Sequence, residues 1–281
     1  MYQDELKINQ YLQSLINSNA SSLTIKTYMR CLRDIYYEVP LYREINLQDI
    51  TDFHARKKNL KSSSVALYLT ALRSFLKWRK QNGLASLDPD LIIIPKHRDH
   101  RLTFLNKTEI TALLKQPKNA RDKAILETLF STGLRVSELC SLNRDQVTNF
   151  AVNSGLNVIG KGGKSRLVFL SDKAKKTIQF YLSTRRDNDE ALFVSFTTNN
   201  RLKVRCIQLL VKKYAKKAGI KKEVTPHVLR HTFATDLLAN GADLISIQTI
   251  LGHASVQTTQ LYTHVVDSGL EQVFRHCHTT S

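Results

Sequence analysis

Apolar residues recur at helical spacing through the first eighty residues, and this periodicity constrains the fold more than any other feature of the sequence. The stretches with three- and four-residue steps are 8–15, 28–36, 50–55 and 65–78. Serines at 21–22 and 62–64 stand where a side-chain oxygen can cap the first amides of a helix. The spacing therefore predicts about four short helices.

The helical pattern stops between residues 82 and 101. Asn82 and Gly83 break it, Pro89 stops it again, and 95–101 is polar, basic and aperiodic. A chain of 281 residues, 42% of them hydrophobic, can bury two modest cores. We therefore predict a helical first domain at 1–87, a linker at 88–101 and a second domain at 102–281.

The second domain is also predicted to be helical, apart from one hairpin. Its helices are expected at 110–114 with a cap from Asn106 or Thr108, at 120–130, 174–183, 204–218 and 243–251, and from Thr225 onward. Two short apolar stretches, 156–159 and 167–170, flank a glycine-rich turn. The predicted fold class is mainly α, with a small antiparallel β-hairpin in the second domain.

The charge of the chain indicates a polyanionic partner. Lys and Arg number 42 against 24 Asp and Glu, so the formal net charge is +18, which favours nucleic acid. We expect no membrane contact, because no stretch is long enough to span a bilayer and the first ten residues lack the layout of a secretory signal. The four cysteines form no Cys-x-x-Cys pair. A cytoplasmic, nucleoid-associated protein with reduced thiols is expected.

Arg135 and Glu138 form the first candidate constellation. Thr132 and Gly133 end one predicted helix and Arg135 opens the next, so Arg135 and Glu138 share a helix face. An arginine held there by a carboxylate can present its planar fork to a phosphate. A local ion pair on a solvated face is the alternative interpretation.

The hairpin tip carries two lysines, Lys161 and Lys164. Gly162 and Gly163 allow a tight turn that brings a lysine close to a phosphate backbone. Either lysine could donate a proton or attract phosphate without any catalytic role.

Residues 225–231 form another candidate site. Thr225 can cap a helix that starts at Pro226, which places His227 and Arg230 near the positive helix end, a favourable position for a phosphate. His227 and His231 also have the spacing of a zinc protease helix, but Val228 stands where that motif needs a glutamate. We therefore predict no metal site.

His253 and Tyr262 complete the set of candidates. Gly252 ends a short apolar helix, His253 follows in a loop, and a final helix carries Tyr262. A single tyrosine is most often a packing residue. The other motifs are what make Tyr262 a candidate for chemistry.

Taken together, five ordered segments resemble the tyrosine recombinases, most closely the Xer-type recombinases and similar small integrases. The segments are TGLRVSEL (132–139), GKGGKSR (160–166), PHVLRHTFAT (226–235), LGH (251–253) and TTQLYTH (258–264). The helical first domain fits the DNA-clamping domain of this family, so the resemblance covers most of the chain. It implies a two-domain, C-shaped clamp around DNA.

The resemblance implies a role for each candidate in metal-free cleavage of DNA. Tyr262 would attack a phosphodiester to form a 3′-phosphotyrosine, Lys161 would protonate the departing 5′ oxygen, and His227 would orient the nucleophile or accept its proton. No cofactor is expected, because the phosphotyrosine retains the bond energy for rejoining.

Four further residues would stabilise the reacting phosphate. Arg135 and Arg230 would hold its non-bridging oxygens, His253 would donate a hydrogen bond to one of them, and Glu138 would brace the arginine site. Additional DNA contacts are expected from basic residues of the hairpin and linker, which are Lys164, Arg166, Lys96, Arg98 and Arg101.

The expected substrate is double-stranded DNA with short inverted core sites, recombined through a Holliday junction. An apolar stripe at Leu270, Val273 and Phe274 is predicted to dock on a neighbouring protomer in a synaptic tetramer, with packing within its own chain as the alternative. A paralogous recombinase is a candidate partner. Dimer resolution, integration, excision and inversion all stay open.

Three other functions would also fit parts of the sequence. A type IB topoisomerase would use similar chemistry, but the helical first domain favours site recognition. A sequence-specific DNA-binding protein with a non-cutting recombinase fold would not need reactive side chains in all five segments. A metallohydrolase at His227 and His231 would be inhibited by chelators.

Overall fold

The structure, a computed structural model, describes residues 2–38, 46–57, 59–84, 87–95, 103–148, 155–160, 163 and 165–252. The chain divides into two compact units, Met1–His100 and Arg101–Ser281. The division falls inside the predicted linker at 88–101. Within the described ranges, no helix is both long and apolar enough to cross a membrane.

The described part of the first unit contains four α-helices, as the apolar spacing predicts. They are α1 (Tyr2–Asn17), α2 (Ser22–Glu38), α3 (Leu47–Arg56) and α4 (Ser62–Gln81). Their buried faces meet in a core rich in aromatic and branched side chains, where the rings of Tyr11 and Phe75 pack edge to face with centroids 5.4 Å apart. A short 3-10 helix, Pro89–Leu91, follows, and Ile92 after it is buried in the same core. The beginning of the predicted linker therefore packs on the first unit.

The two predicted serine caps have different outcomes. The hydroxyl of Ser21 accepts a hydrogen bond from the amide of Thr24 at 3.1 Å, so the cap of α2 is confirmed. The cap predicted from serines 62–64 is wrong. Helix α4 starts one residue earlier, with Lys61 at the N-cap position and no side-chain cap, because the ammonium group of a lysine has no oxygen that could accept from the first amides.

Over the residues that the structure describes, the second unit consists of helices and one hairpin. The helices are α5 (Lys107–Leu114), α6 (Ala120–Thr132), α7 (Val136–Ser141), α8 (Asp145–Thr148), α9 (Asp172–Ser183), α10 (Val204–Lys217), α11 (Pro226–Ala239) and α12 (Leu244–Leu251), and the strands are β1 (Gly155–Ile159) and β2 (Ser165–Phe169). The strands pair antiparallel, with Gly155 opposite Phe169 and Ile159 opposite Ser165. The mainly α fold with a small hairpin is confirmed.

Helix α6 lies at the centre of the second unit, packed against α5, α9, α11 and β2. Ala124, Ile125, Leu126 and Leu129 are all buried, which leaves little of its surface for solvent. Because α6 is fixed on several sides, the chain that leaves its C-terminal end is held in one position. The segment that follows α6 contains the first candidate residues, Arg135 and Glu138.

Candidate active site

The turn after α6 depends on a glycine. Gly133 caps the helix with a left-handed backbone (φ 59°), a conformation that other residues rarely adopt. A Cβ atom at this position would lie 2.4 Å from the Phe233 ring of α11. The glycine therefore lets the turn approach α11 closely and leads directly into α7, with Arg135 at its N-cap.

Arg135 is held by Glu138, as the sequence predicts. Its Nη1 donates to Glu138 Oε1 at 2.8 Å, and its backbone amide donates to Oε2 at 2.8 Å. Its Nη2 also donates to the carbonyl oxygen of Gly252 at 3.1 Å. The Arg135 side chain is 29% exposed, so part of it stays accessible to a ligand.

Arg230 lies deeper than Arg135. It is only 4% exposed, on α11. Its Nη1 donates to the carbonyl of Gly133 at 2.6 Å, and its Nη2 donates to the carbonyl of Leu251 at 2.7 Å. One guanidinium thus connects the end of α6 to the end of α12.

The C-terminal end of α12 is the meeting point of the two arginines. The last carbonyls of a helix carry partial negative charge and need hydrogen-bond donors. Here Arg230 donates to the carbonyl of Leu251, and Arg135 donates to the carbonyl of Gly252. Gly252 ends the helix in the left-handed region (φ 64°). The next residue along the chain is His253.

Arg166 belongs to the same cluster, in a way that the sequence prediction missed. Its Nη1 and Nη2 donate to the two oxygens of Glu138 at 2.9 and 2.6 Å, and its Nε donates to the carbonyl of Ile250 at 2.9 Å. Only 8% of the side chain is exposed, which argues against the predicted DNA contact. Strand register could have indicated this, because Arg166 shares a strand face with the buried Val168.

The pKa of Glu138 reflects these neighbours. Burial alone would raise it, but hydrogen bonds from Arg166 and Arg135 outweigh burial and lower the pKa to about 2. Glu138 is therefore charged at any physiological pH. Two guanidiniums, from Arg135 and Arg166, contact this one carboxylate, and a third, from Arg230, binds the carbonyl of Gly133 in the adjoining turn, so the described part of the site is positively charged.

The two histidines of α11 are neutral at pH 7. Desolvation, with help from the charges of Arg230 and Arg135, lowers the pKa of His227, and desolvation together with His227 and Arg230 lowers that of His231 to about 4. A neutral imidazole can accept a proton. Among the residues that the structure describes, no three His, Cys, Asp or Glu side chains gather as metal ligands.

A groove beside Arg135 extends toward the hairpin. Ser137, Glu138 and Ser141 of α7 line one side, and Ile159 and Gly160, at the end of β1, line the other. The hairpin turn therefore starts next to Arg135. Several predicted residues lie outside the described ranges, namely Lys96, Arg98, Arg101, Lys161, Lys164, His253, Tyr262, Leu270, Val273 and Phe274.

Comparisons with known proteins show which family this chain is similar to. The model of the phage integrase family matches residues 103–268, and the model of the phage integrase N-terminal SAM-like domain matches residues 8–83. A protein named tyrosine recombinase XerD from Listeria monocytogenes (serotype 4b, strain F2365) is 36% identical over 96% of this chain and 98% of its own.

Two solved structures share the fold. The post-cleavage complex of the XerH site-specific recombinase with palindromic difH substrate has a TM-score of 0.73 at 22% identity, over 91% of this chain and 80% of that one. A lambda integrase tetramer bound to a Holliday junction has a TM-score of 0.74 at 18% identity, over 91% and 76%.

Proposed function

Because the chain belongs to the phage integrase family of tyrosine recombinases, we propose that it is a site-specific DNA recombinase. It cleaves and rejoins DNA strands through a 3′-phosphotyrosine on Tyr262 and passes through a Holliday junction. Chromosome or plasmid dimer resolution and the integration or excision of a mobile element are the processes that this chemistry serves.

The observation that carries the proposal is the convergence of Arg135 and Arg230 at the end of α12. A phosphodiester under attack gains negative charge on its non-bridging oxygens, and cations already in place stabilise that charge without reorganising. Arg135 donates to Gly252 and Arg230 to Leu251, so both guanidiniums stand immediately before residue 253. In the proposal, His253 adds a hydrogen bond to the same phosphate.

Proton transfer is assigned to three residues in the proposal. Tyr262 must lose a proton as it attacks, and the neutral ring of His227 accepts it or orients the hydroxyl. Lys161 protonates the 5′ oxygen that leaves. The groove between α7 and Gly160 supports this assignment, because it brings the start of the lysine-bearing turn beside Arg135.

The proposed chemistry requires no metal and no ATP. Attack by Tyr262 replaces one phosphate ester with another, so a 5′ hydroxyl can reverse the step and join a new strand. Glu138 keeps Arg135 oriented throughout, since it remains charged.

Double-stranded DNA with short inverted core sites is the proposed substrate, and a tetramer linked by the C-terminal helix is the proposed synaptic assembly. The net charge of +18 and the two similar DNA complexes support both. A paralogous recombinase is a candidate second subunit. A cytoplasmic, nucleoid-associated location follows from such a substrate, to which Lys96, Arg98, Arg101 and Lys164 would add phosphate contacts.

Covalent trapping tests the proposal. The protein is incubated in EDTA with nicked genomic fragments from its source, denatured, and the attached DNA is sequenced while the modified peptide is mapped. A 3′ adduct at Tyr262 is expected from the wild type and from Tyr37→Phe, whose tyrosine is 83% exposed, and none from Tyr262→Phe.

DNA binding without any adduct, even with a candidate partner present, would instead favour a non-cutting DNA-binding protein. An adduct that EDTA abolishes would point to a metal-dependent enzyme.

A further inference from the structure

Arg166 connects three segments that the proposed function needs in fixed positions. It lies on β2, the strand that follows the Lys161 turn, and both of its Nη atoms donate to Glu138 of α7. Its Nε donates to Ile250 of α12, two residues before Gly252. All three nitrogens of the guanidinium therefore act within the protein.

The space around Arg166 is closed. A Cβ atom on Gly252 would lie 2.7 Å from Arg166 Cδ. The Arg166 side chain can therefore lie against residue 252 only because that residue has no side chain. A buried arginine is costly unless its donors are satisfied, and a two-point contact with a carboxylate is the strongest arrangement open to it. Arg166 is thus fixed in place by its surroundings.

Glu138 transmits this constraint to Arg135. The carboxylate is shared, since Oε1 accepts from both Arg135 and Arg166, while Oε2 accepts from Arg166 and the Arg135 amide. Without Arg166, Glu138 would keep only the contacts to Arg135 and could rotate with it. A fixed Arg166 therefore gives Arg135 a fixed partner.

We propose that Arg166 is a positioning residue, which orients Arg135 through Glu138 and ties the Lys161 hairpin to the segment that precedes His253. It does not contact the DNA. This inference rests on the proposed function, because its readout is the cleavage step.

Two variants and one control test the inference. Arg166→Met removes the guanidinium, and Arg166→Lys keeps the charge but loses the two-point contact. Arg185→Met is the matched control, because Arg185 is similarly buried (3% exposed) and pairs with Asp187 and the carbonyls of Asp189 and Leu192. Each variant is assayed for thermal stability and for DNA affinity across a salt series. The single-turnover rate of adduct formation is measured on a core site that the covalent-trapping experiment has identified.

The expected result separates cleavage from binding. Arg166→Met should slow adduct formation by about 100-fold, the size of effect that a small misplacement of a reacting group can have. Arg166→Lys should lose about 10-fold on the same reasoning. DNA affinity and its salt dependence should match the wild type, and Arg185→Met should lose stability but keep the cleavage rate of the folded fraction. If Arg166→Met does not fold, Arg166→Lys carries the same comparison.

Combining an Arg166 variant with Glu138→Gln in a double-mutant cycle adds a further test. A purely structural role of Arg166 would not produce coupled losses in the cleavage rate. Because Arg166 acts through Glu138, the combined loss in rate should be smaller than the product of the two single losses. Independent, multiplicative losses would overturn the inference. So would a wild-type rate in Arg166→Met, or a salt slope reduced by about 0.9, the value expected when one phosphate contact is lost.

Failure of the inference is distinguishable from failure of the proposed function. If the wild type forms no adduct at Tyr262, the proposed function falls and the inference with it. If the wild type reacts and only the Arg166 predictions fail, the recombinase proposal stands.

Discussion

The two ends of α6 each carry a buried carboxylate beside an arginine, yet they are built differently. Asp122, in the first turn of α6, accepts hydrogen bonds from Arg121, Asn119 and Tyr214. Glu138, just beyond the other end, accepts from Arg135 and Arg166, and Arg230 of α11 donates to the carbonyl of Gly133 in the turn before it. A helix of this length separates them by about 20 Å.

The difference lies in charge balance. At Asp122, one carboxylate faces one arginine, and the Arg121 guanidinium also stacks on the Phe196 ring with 3.6 Å to its centroid. Glu138 is one carboxylate that accepts from two arginines, Arg135 and Arg166. A third arginine, Arg230, donates to the carbonyl of Gly133 in the adjoining turn and so adds positive charge that no carboxylate is shown to balance. Like charges held together cost stability, so a surplus of positive charge inside a fold is typical of a binding site for an anion. We infer that the first end stabilises the fold and the second end serves chemistry.

The largest effect is expected from Arg230. Arg230→Lys loses the fork that reaches Gly133 and Leu251 together, and the cleavage rate should fall by about 1000-fold, as when one donor to a transition-state oxygen is lost. Single-turnover adduct formation measures this. Arg121→Lys, at the opposite end of α6, is the control. A similar rate loss in both variants would remove the distinction between the two ends.

The next largest effect is expected in the free energy of unfolding at acid pH, which should depend on Glu138. Its pKa is lowered from 4.5 to about 2, so its contribution to the free energy of unfolding is present above pH 4.5 and is lost as the pH falls toward 2. The shift corresponds to about 3 kcal/mol. Urea unfolding of the wild type should therefore weaken more than that of Glu138→Gln across this range. Parallel pH curves for the two proteins would contradict the assignment.

Asp122→Asn should lower the free energy of unfolding by about 2 kcal/mol, because Arg121 and Tyr214 would lose a charged acceptor inside the protein. Burial raises the pKa of Asp122, but the hydrogen bonds outweigh it and lower the pKa overall, so this contribution also declines in acid. Denaturant titration at pH 7 gives the magnitude. A variant as stable as the wild type would show that this end has no structural role.

A glycine pair gives a smaller and cleaner comparison. Gly252→Ala and Gly241→Ala both place a side chain at positive φ, which costs about 1 kcal/mol. A Cβ at Gly241 meets nothing within 4 Å, whereas at Gly252 it would press on Arg166. Gly252→Ala should lose about 1 kcal/mol more in denaturant titration, and it alone should slow cleavage. Equal losses would mean that Arg166 adjusts freely.

The smallest expected effect concerns pH. Because desolvation lowers the pKa of His227 below its ordinary 6.5, more than half of the rings are neutral at that pH, and cleavage at pH 6.5 should remain within about twofold of its rate at pH 7.5. Asp122→Asn should keep the same pH profile as the wild type. A rate that falls about tenfold for each unit of pH below 7.5 would instead assign His227 a raised pKa.

Local sequence signals predicted much of this. Apolar spacing predicts the helices, and the three-residue step from Arg135 to Glu138 predicts their ion pair, because both depend on neighbours along one helix. The carbonyl partners of Arg230 could not be predicted, since Gly133 and Leu251 are 97 and 21 residues away. Only the packing of α6, α11 and α12 brings them together.

Arg166 shows how a local signal can mislead. Its place after a lysine-rich turn suggested a surface contact, but the two-residue step to Val168 turns it toward the core. The cap predicted from serines 62–64 was wrong as well, because the helix begins at Ser62 and its N-cap position falls on Lys61.

The most direct test is the rate of adduct formation at Tyr262 in Glu138→Gln and Asp122→Asn, measured side by side and normalised to the folded fraction. Our account predicts a loss of about 100-fold for Glu138→Gln, from misplacement of Arg135, and a rate close to wild type for Asp122→Asn. Equal losses in the two variants, or a larger loss in Asp122→Asn, would contradict the division of α6 into a structural end and a catalytic end.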